Sequence, residues 1–461
     1  MTKMFKYVIY ILQNMEKNRI IEVLSKWNFW NRDLDVGVSR KGYVDELMRF
    51  IRADKVVSVV GVRRSGKSTL IRQLARALID EGADKKDTLI VNFEEPEFEG
   101  ADVGSLQRIY EAYLELMKPP GKPFVFLDEI QNVRGWERFV RSLNERKEAF
   151  VMISGSSSKL LSEELASILT GRQIYIEVFP LSFKEFLSFE GLEIREMKDA
   201  MLDSLRVKSL FREYIQSGGF PEVVLNKDPD FRAKTLRSYY EDVVGRDVVQ
   251  RFKVRKQDKL RALARFYLTN VASPISFNKI SKFIRLPTET VRRFSSYLET
   301  SNLIFFIKRF SWSVKEQENS PRKVYSIDVG LSNVVGFRFL ENLGKIAENL
   351  AAAELRRMQV KNPNLEVFYW RDYKGKEVDF LIKEGLKVKE LIQVCWDVSD
   401  HETREREVKA LRKAMEEFRL KEAVILTEDF EGEEKVNGKK ITYKPLWKWG
   451  LEGLRSAARG V

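Results

Sequence analysis

The sequence predicts an α/β protein: a parallel-sheet domain near its start, a helical stretch, a three-helix module with a two-stranded wing, and a second α/β module. Three observations carry this. An apolar, β-branched strand, Val56 to Val60, runs through a glycine-punctuated loop into an amphipathic helix. A later apolar strand, Phe124 to Leu127, ends in two acids, Asp128 and Glu129. Beyond Asp258 apolar residues at helical spacing are broken at Leu286-Pro287 and give way to short strand-like runs.

At 461 residues the chain exceeds one core and suggests about three domains of roughly 150 residues. Its 81 Lys+Arg against 68 Asp+Glu leave a net charge of +13, which favours a polyanionic partner, nucleic acid ahead of membrane. A solvated charged surface with no partner is the alternative. With 32% charged residues, one Cys and one His, the composition is like that of a protein from a hot environment. The lone Cys395 excludes an internal disulfide and a Cys-based zinc site, and fits a reducing, cytoplasmic setting. The longest apolar run near the start, Tyr7 to Leu12, is too short to span a bilayer. Residues 1–14 read as detached, with Met15 a second candidate start.

The loop Gly61-Val62-Arg63-Arg64-Ser65-Gly66-Lys67-Ser68-Thr69 matches G-x-x-x-x-G-K-[ST] without a mismatch. Each position has a task on a nucleoside triphosphate: the glycines let backbone N–H groups wrap phosphates, Lys67 reaches the β/γ oxygens, and the Ser68 hydroxyl ligates magnesium. The helix that follows, with Leu70, Ile71, Leu74 and Leu78 at helical spacing, adds its dipole to anion binding. The strand ending in Asp128 and Glu129 delivers Asp128 toward Mg²⁺ and places Glu129 to polarise the attacking water. A further strand, Phe150 to Ile153, leads into Ser154-Gly155-Ser156-Ser157-Ser158. Those hydroxyls suit either a γ-phosphate contact or the cap of the next helix.

With Leu169-Thr170-Gly171-Arg172, Phe179-Pro180-Leu181-Ser182-Phe183-Lys184-Glu185-Phe186, Ser217-Gly218-Gly219-Phe220-Pro221 and Arg246-Asp247, the chain resembles the archaeal and bacterial AAA+ ATPases of the signal-transduction group. The resemblance covers most of residues 15–461. It implies that Ser156 or Ser157 is the sensor, that Leu181 to Gln257 forms a helical lid, and that Arg172 touches the γ-phosphate, in cis or from a neighbouring subunit. An arginine there would stabilise charge that grows in the transition state. Gly218, Gly219 and Pro221 read as the hinge of the lid.

From Asp258 the spacing predicts three helices and a wing, the shape of a winged helix-turn-helix. Ile280, Phe283 and Ile284 are expected to face inward on the second helix, and Val291, Phe294, Tyr297 and Leu298 on the third. The outer face then carries Thr288, Thr290, Arg292, Arg293, Ser295 and Ser296, joined by Arg285, Lys279 and Lys282. Such a face suits double-stranded DNA, while winged helices also serve as protein-contact modules.

After Gly336 the order of helix, three strands, helix and strand is similar to the restriction-endonuclease fold. In active members an Asp, a Glu and a Lys hold metal and activate water, often with a Glu on the first helix. Glu348 and Asp379 fit that pattern. Gln393 replaces an acid, and Cys395 stands where a lysine ammonium is expected, so the module is expected to be inactive.

These readings divide the chain into an N-terminal extension (1–50), a P-loop ATPase domain (51–180), a helical lid (181–257), a winged helix (258–335) and an endonuclease-like domain (336–461). The function expected is a Mg²⁺-dependent ATPase coupling nucleotide state to DNA binding. The alternatives are a slow ATPase switch that senses a protein partner, and an ATP-coupled nuclease. An oligomer is required only if Arg172 acts in trans.

Overall fold

The computed structural model describes residues 16–53, 55–155, 171–336 and 343–454. The chain divides into two compact units, Met1–Val178 and Phe179–Val461.

In the first unit five parallel strands lie in the order β2-β3-β4-β1-β5: β1 Val56–Val60, β2 Thr88–Asn92, β3 Phe124–Asp128, β4 Phe150–Gly155 and β5 Gln173–Glu177. The strands β1, β2 and β3 are buried along their whole length, which is why they read as continuous apolar runs. Alternate residues feed opposite faces. Val56, Val60, Leu89, Val91, Val125 and Leu127 pack against the helices Val103–Met117 and Trp136–Glu145. Val57, Val59, Ile90, Phe124 and Phe126 meet Leu70, Ile71, Leu74 and Leu78 of the helix Lys67–Asp80. Residues 16–53 join the same unit: Val23, Leu24 and Trp30 lie in one core, Phe29, Leu47 and Ile51 in the other. At the β2 edge the Asn28 side chain takes the place of a neighbouring strand. Its amide donates to the Ile90 carbonyl at 2.9 Å and its carbonyl accepts the Ile90 N–H at 2.7 Å.

In the second unit helices fill residues 183–269, with a π-helical stretch, Val243–Gln250, that carries Arg246 and Asp247. One nine-stranded sheet follows, in the order β13-β14-β12-β11-β10-β9-β7-β8-β6. Its strands are β6 Ser273–Ile275, β7 Ile304–Arg309, β8 Arg322–Ser326, β9 Leu365–Arg371, β10 Glu377–Glu384, β11 Lys387–Val394, β12 Glu422–Thr427, β13 Gly432–Val436 and β14 Lys439–Pro445. The helices Gln257–Thr269, Phe277–Ile284 and Thr288–Thr300 pack on the β6-β8-β7 end. A parallel pairing of Lys308 and Arg309 on β7 with Phe368 and Tyr369 on β9 makes the sheet continuous across residue 335.

Two expected orientations are corrected here. Phe283 is 70% exposed, because Ile280 and Ile284 already fill the buried face of its eight-residue helix. Its ring rests against Phe266 with centroids 5.7 Å apart. Ser295 is buried, bonded to the Val291 carbonyl at 2.7 Å and to the Tyr267 hydroxyl at 2.6 Å. Nor are Gly218 and Gly219 placed as a free bend. A Cβ on Gly218 would lie 2.1 Å from Asp328 Oδ1, and one on Gly219 would lie 2.3 Å from the Leu181 carbonyl. The buried Asp328 accepts the N–H groups of Gly219, Gly330 and Leu331, so the glycines serve close packing.

Candidate nucleotide-binding site

Ligands of open parallel sheets gather beyond the carboxyl ends of the strands, and four of the five strands deliver residues there. After β1 the chain turns through Gly61, at φ +151°, where a Cβ would stand 2.1 Å from the Val178 carbonyl. Gly66, with φ 96°, caps the helix Lys67–Asp80. Only glycine fits either position without strain. The Lys67 side chain is buried and donates to the Gly61 and Val62 carbonyls, each at 3.1 Å. Arg63 reaches out to Glu94 at 2.6 Å, Arg64 adopts a left-handed backbone, and Thr69 accepts from Arg72. Ser65 Oγ is buried without a hydrogen-bond partner. A buried orphan hydroxyl within a glycine cradle fits a phosphate-bearing ligand.

Opposite the loop, Asp128 is buried at the end of β3. The Ser68 and Ser154 hydroxyls both bond it. Burial first, and then the neighbouring Glu129 charge, push its carboxyl up to about 6, against the pull of those hydroxyls and of Lys67. Glu129 is 6% exposed and sits at φ 53°, a conformation unfavourable for a side-chain-bearing residue. Its N–H donates to Ser154 Oγ at 3.3 Å, and Gln131 bonds its carboxylate.

In the sequence Ser154 is legible only as one member of a serine run. It is the fully buried hydroxyl that joins both acids, from β4, the strand lying between β1 and β3. Ser156 and Ser157 lie outside the described residues. Arg40 carries no sequence signal at all. Its guanidinium, buried at the start of the helix Lys41–Ile51, donates to the Ser65 carbonyl at 2.9 Å and so braces the P-loop from behind.

A cis role for Arg172 is overturned. Its carbonyl accepts the Val56 N–H at 2.9 Å, so it sits where β1 and β5 begin, at the sheet edge opposite the P-loop. Five residues at about 3.3 Å each put it roughly 16 Å from the loop. Its exposed guanidinium pairs with Glu145 at 2.6 Å. That position does not bring the guanidinium to the P-loop of its own chain.

The expected basic face is exposed throughout: Lys279, Lys282, Arg285, Arg292 and Arg293 all reach solvent. The Arg292 guanidinium lies over the Phe277 ring, 5.1 Å from its centroid. In the C-terminal sheet, Glu348 and Asp379 do come together, and Gln393 lies beside them. The Gln393 carbonyl accepts the Asp379 N–H at 3.1 Å and its amide donates to Glu407 at 2.7 Å. Cys395 is packed in the apolar core, its thiol pushed up to about 11 by burial and by nearby acids. A lysine does reach these acids, from β8 rather than from the end of β11: Lys323 Nζ stands 2.8 Å from carboxylate oxygens of Glu348, Glu377 and Asp379. Period-two alternation puts Lys323 on one face with Tyr325, the one sequence signal that could have found it.

Comparison with known proteins agrees with this geometry. Residues 53–187 match the model of an AAA domain. An uncharacterized protein of Methanocaldococcus jannaschii is 33% identical over 444 residues, covering 94% of this chain and 93% of that one. The chain belongs to this AAA-domain family. Its first unit is thus an AAA-type ATPase domain, while residues 208–341 and 343–449 match two domains of unknown function (DUF8612 and DUF4143). An uncharacterized protein of Haemophilus influenzae is 29% identical over 374 residues, 79% of this AAA-family chain and 89% of that relative. Among solved structures, the Walker-type ATPase of Pyrococcus abyssi is 14% identical with a TM-score of 0.43, over 65% of this chain and 96% of that one.

Proposed function

We propose that this AAA-family protein hydrolyses ATP with Mg²⁺ at the P-loop and couples nucleotide state to duplex DNA. The observation that carries the reading is the meeting of Lys67 and Ser68 with Asp128, Glu129 and Ser154 at one sheet edge. Ser68 and Asp128 would hold Mg²⁺, whose charge neutralises phosphate oxygens when bound. Lys67 leaves two backbone carbonyls for the phosphates, and the loop N–H groups wrap them. Glu129, fixed by its backbone bond to Ser154, orients water and accepts its proton. Ser154 transmits the state of one acid to the other.

Because burial holds Asp128 near pKa 6, a cation must displace its proton at lower pH. A carboxyl raised this way is ionised above about pH 6 and protonated below it. Mg²⁺-dependent binding of a fluorescent ATP analogue should therefore weaken by up to about tenfold per pH unit below pH 6. Asp128→Asn should bind weakly with a flat profile; a wild-type profile equally flat from pH 5 to 7.5 would refute the role.

The exposed Arg292 and Arg293 support DNA as the partner. Each phosphate that a cationic side chain neutralises adds about 0.9 to the slope of log K against log salt, so the double Arg292→Ala/Arg293→Ala variant should flatten that slope by about 1.8 if both touch phosphate. Salt titrations of duplex binding check this, and unchanged slope and affinity would exclude the face. Duplex DNA should also stimulate turnover. One observation favours the protein-sensing alternative: Phe283, 70% exposed among these basic residues, with Phe266 and Arg265 beside a cavity of about 480 Å³. Turnover indifferent to DNA would move the reading there.

The domain boundaries at 180, 257 and 335 are proposed as functional divisions. The winged-helix reading is supported by three helices on the β6-β8-β7 strands, and the endonuclease-like reading by Glu348 and Asp379 meeting.

A further inference from the structure

Lysine ammonium carries three N–H donors and no acceptor. In the second unit the Lys323 ammonium faces three carboxylates at 2.8 Å, those of Glu348, Glu377 and Asp379, with the lysine side chain 1% exposed. The acids arrive from two elements: Glu348 from the helix Leu343–Lys361, and Glu377 and Asp379, two residues apart, from the start of β10. The cluster is braced from outside as well. Tyr325 donates to Glu348 at 2.7 Å, and Asp379 Oδ2 accepts the Val394 N–H at 3.0 Å.

Three converging carboxylates with a cation between them is an oxygen-rich, negatively charged arrangement that can also hold a hard divalent ion, with water completing its shell. Here the charge at the centre is an ammonium, carried in on β8, a strand from the neighbouring three-helix module. A lysine whose donors all face protein carboxylates has none left for a substrate or leaving group. That rules it out as the missing catalytic lysine.

We propose that Lys323 is the built-in cation of this carboxylate centre: the ammonium occupies the position a divalent metal would take, closes the centre to metal, and leaves the module without metal-dependent cleavage. The inference stands on this geometry and is independent of the ATPase reading. A path for an ion exists. A cavity of about 600 Å³, lined by Gly375, Glu377, Asp379, Gln393 and Glu407, opens beside the centre.

The test is Mn²⁺ uptake by the full chain, counted by equilibrium dialysis and electron paramagnetic resonance. An Asp128→Asn background removes the carboxylate that would hold a cation at the P-loop. With Lys323 present, no Mn²⁺ should bind the centre. With Lys323→Met, one Mn²⁺ per chain should bind, and a further Asp379→Asn should abolish it. If Lys323→Met folds only when Mn²⁺ is present, the inference is supported. If it does not fold at all, Lys323→Met/Glu348→Gln keeps two carboxylates at the vacated position with less charge to bury, and uptake by that chain decides. Mn²⁺ bound with Lys323 in place and lost on Asp379→Asn overturns the inference. So does a folded lysine-free chain that takes up none, or an Mn²⁺-dependent nick in plasmid DNA lost on Asp379→Ala.

Discussion

Replacing Lys67 with alanine is expected to lower ATP turnover about 10²–10³-fold, with or without duplex DNA, the usual cost of deleting one donor aimed at transition-state charge. The ammonium already lies inside the loop, bonded to the Gly61 and Val62 carbonyls. Its removal takes positive charge from the ring of Asp128 and Glu129, so binding should weaken as well as turnover. Steady-state phosphate release by wild type and variant reads both effects through kcat and KM. Arg172→Ala provides the contrast, since its guanidinium faces Glu145 at the far edge of the sheet. It should leave turnover intact at protein concentrations where chains do not associate. Turnover retained by Lys67→Ala would place the chemistry elsewhere and sink the P-loop reading. Turnover lost in Arg172→Ala at high protein concentration alone would show an arginine supplied by a second copy.

The parts of this site that are legible in the sequence are those whose chemistry lies in consecutive residues. A P-loop motif is eight residues in a row, Gly61 to Ser68, and Asp128-Glu129 follows its strand directly, so spacing alone points to Lys67, Ser68 and the acids. The rest depends on contacts between distant segments. Arg40 braces Ser65 from 25 positions away. Ser154 cannot be told from Ser156 until the pairing of β4 with β3 puts its hydroxyl against Asp128. Whether Arg172 reaches the loop of its own chain is illegible for the same reason: which end of a parallel sheet a residue occupies depends on strand direction, not on the motif around it. Phe283 and Ser295 mislead differently. Each helical position turns about 100°, so an error of one position in the assumed phase moves a side chain between core and solvent. Lys323 shows the limit most plainly, because the sequence separates it from Glu348 by 25 residues and from Asp379 by 56.

The Lys323 centre also makes the largest stability prediction. Removing one partner of a buried ion cluster leaves charge with no counter-charge, at a cost of about 3–5 kcal/mol. Lys323→Met should therefore destabilise the second unit by that order in metal-free buffer. Because the lysine sits on β8 and its partners on the helix Leu343–Lys361 and on β10, the loss should be shared across what the sequence divides at residue 335. Two further links run along the same seam: Asn349 exchanges hydrogen bonds with Ser326, at 2.8 and 3.0 Å, and β7 pairs with β9. Hydrogen exchange on the full chain distinguishes the cases. Amides of the helix Thr288–Thr300 and of β10 should lose protection together in Lys323→Met. Neutralising the acids at the same time, with Glu348→Gln and Asp379→Asn, should restore much of it, since replacing every charged member of a buried cluster costs less than stranding the rest. Loss confined to one side of the seam would mean that two modules fold separately and merely touch through this lysine.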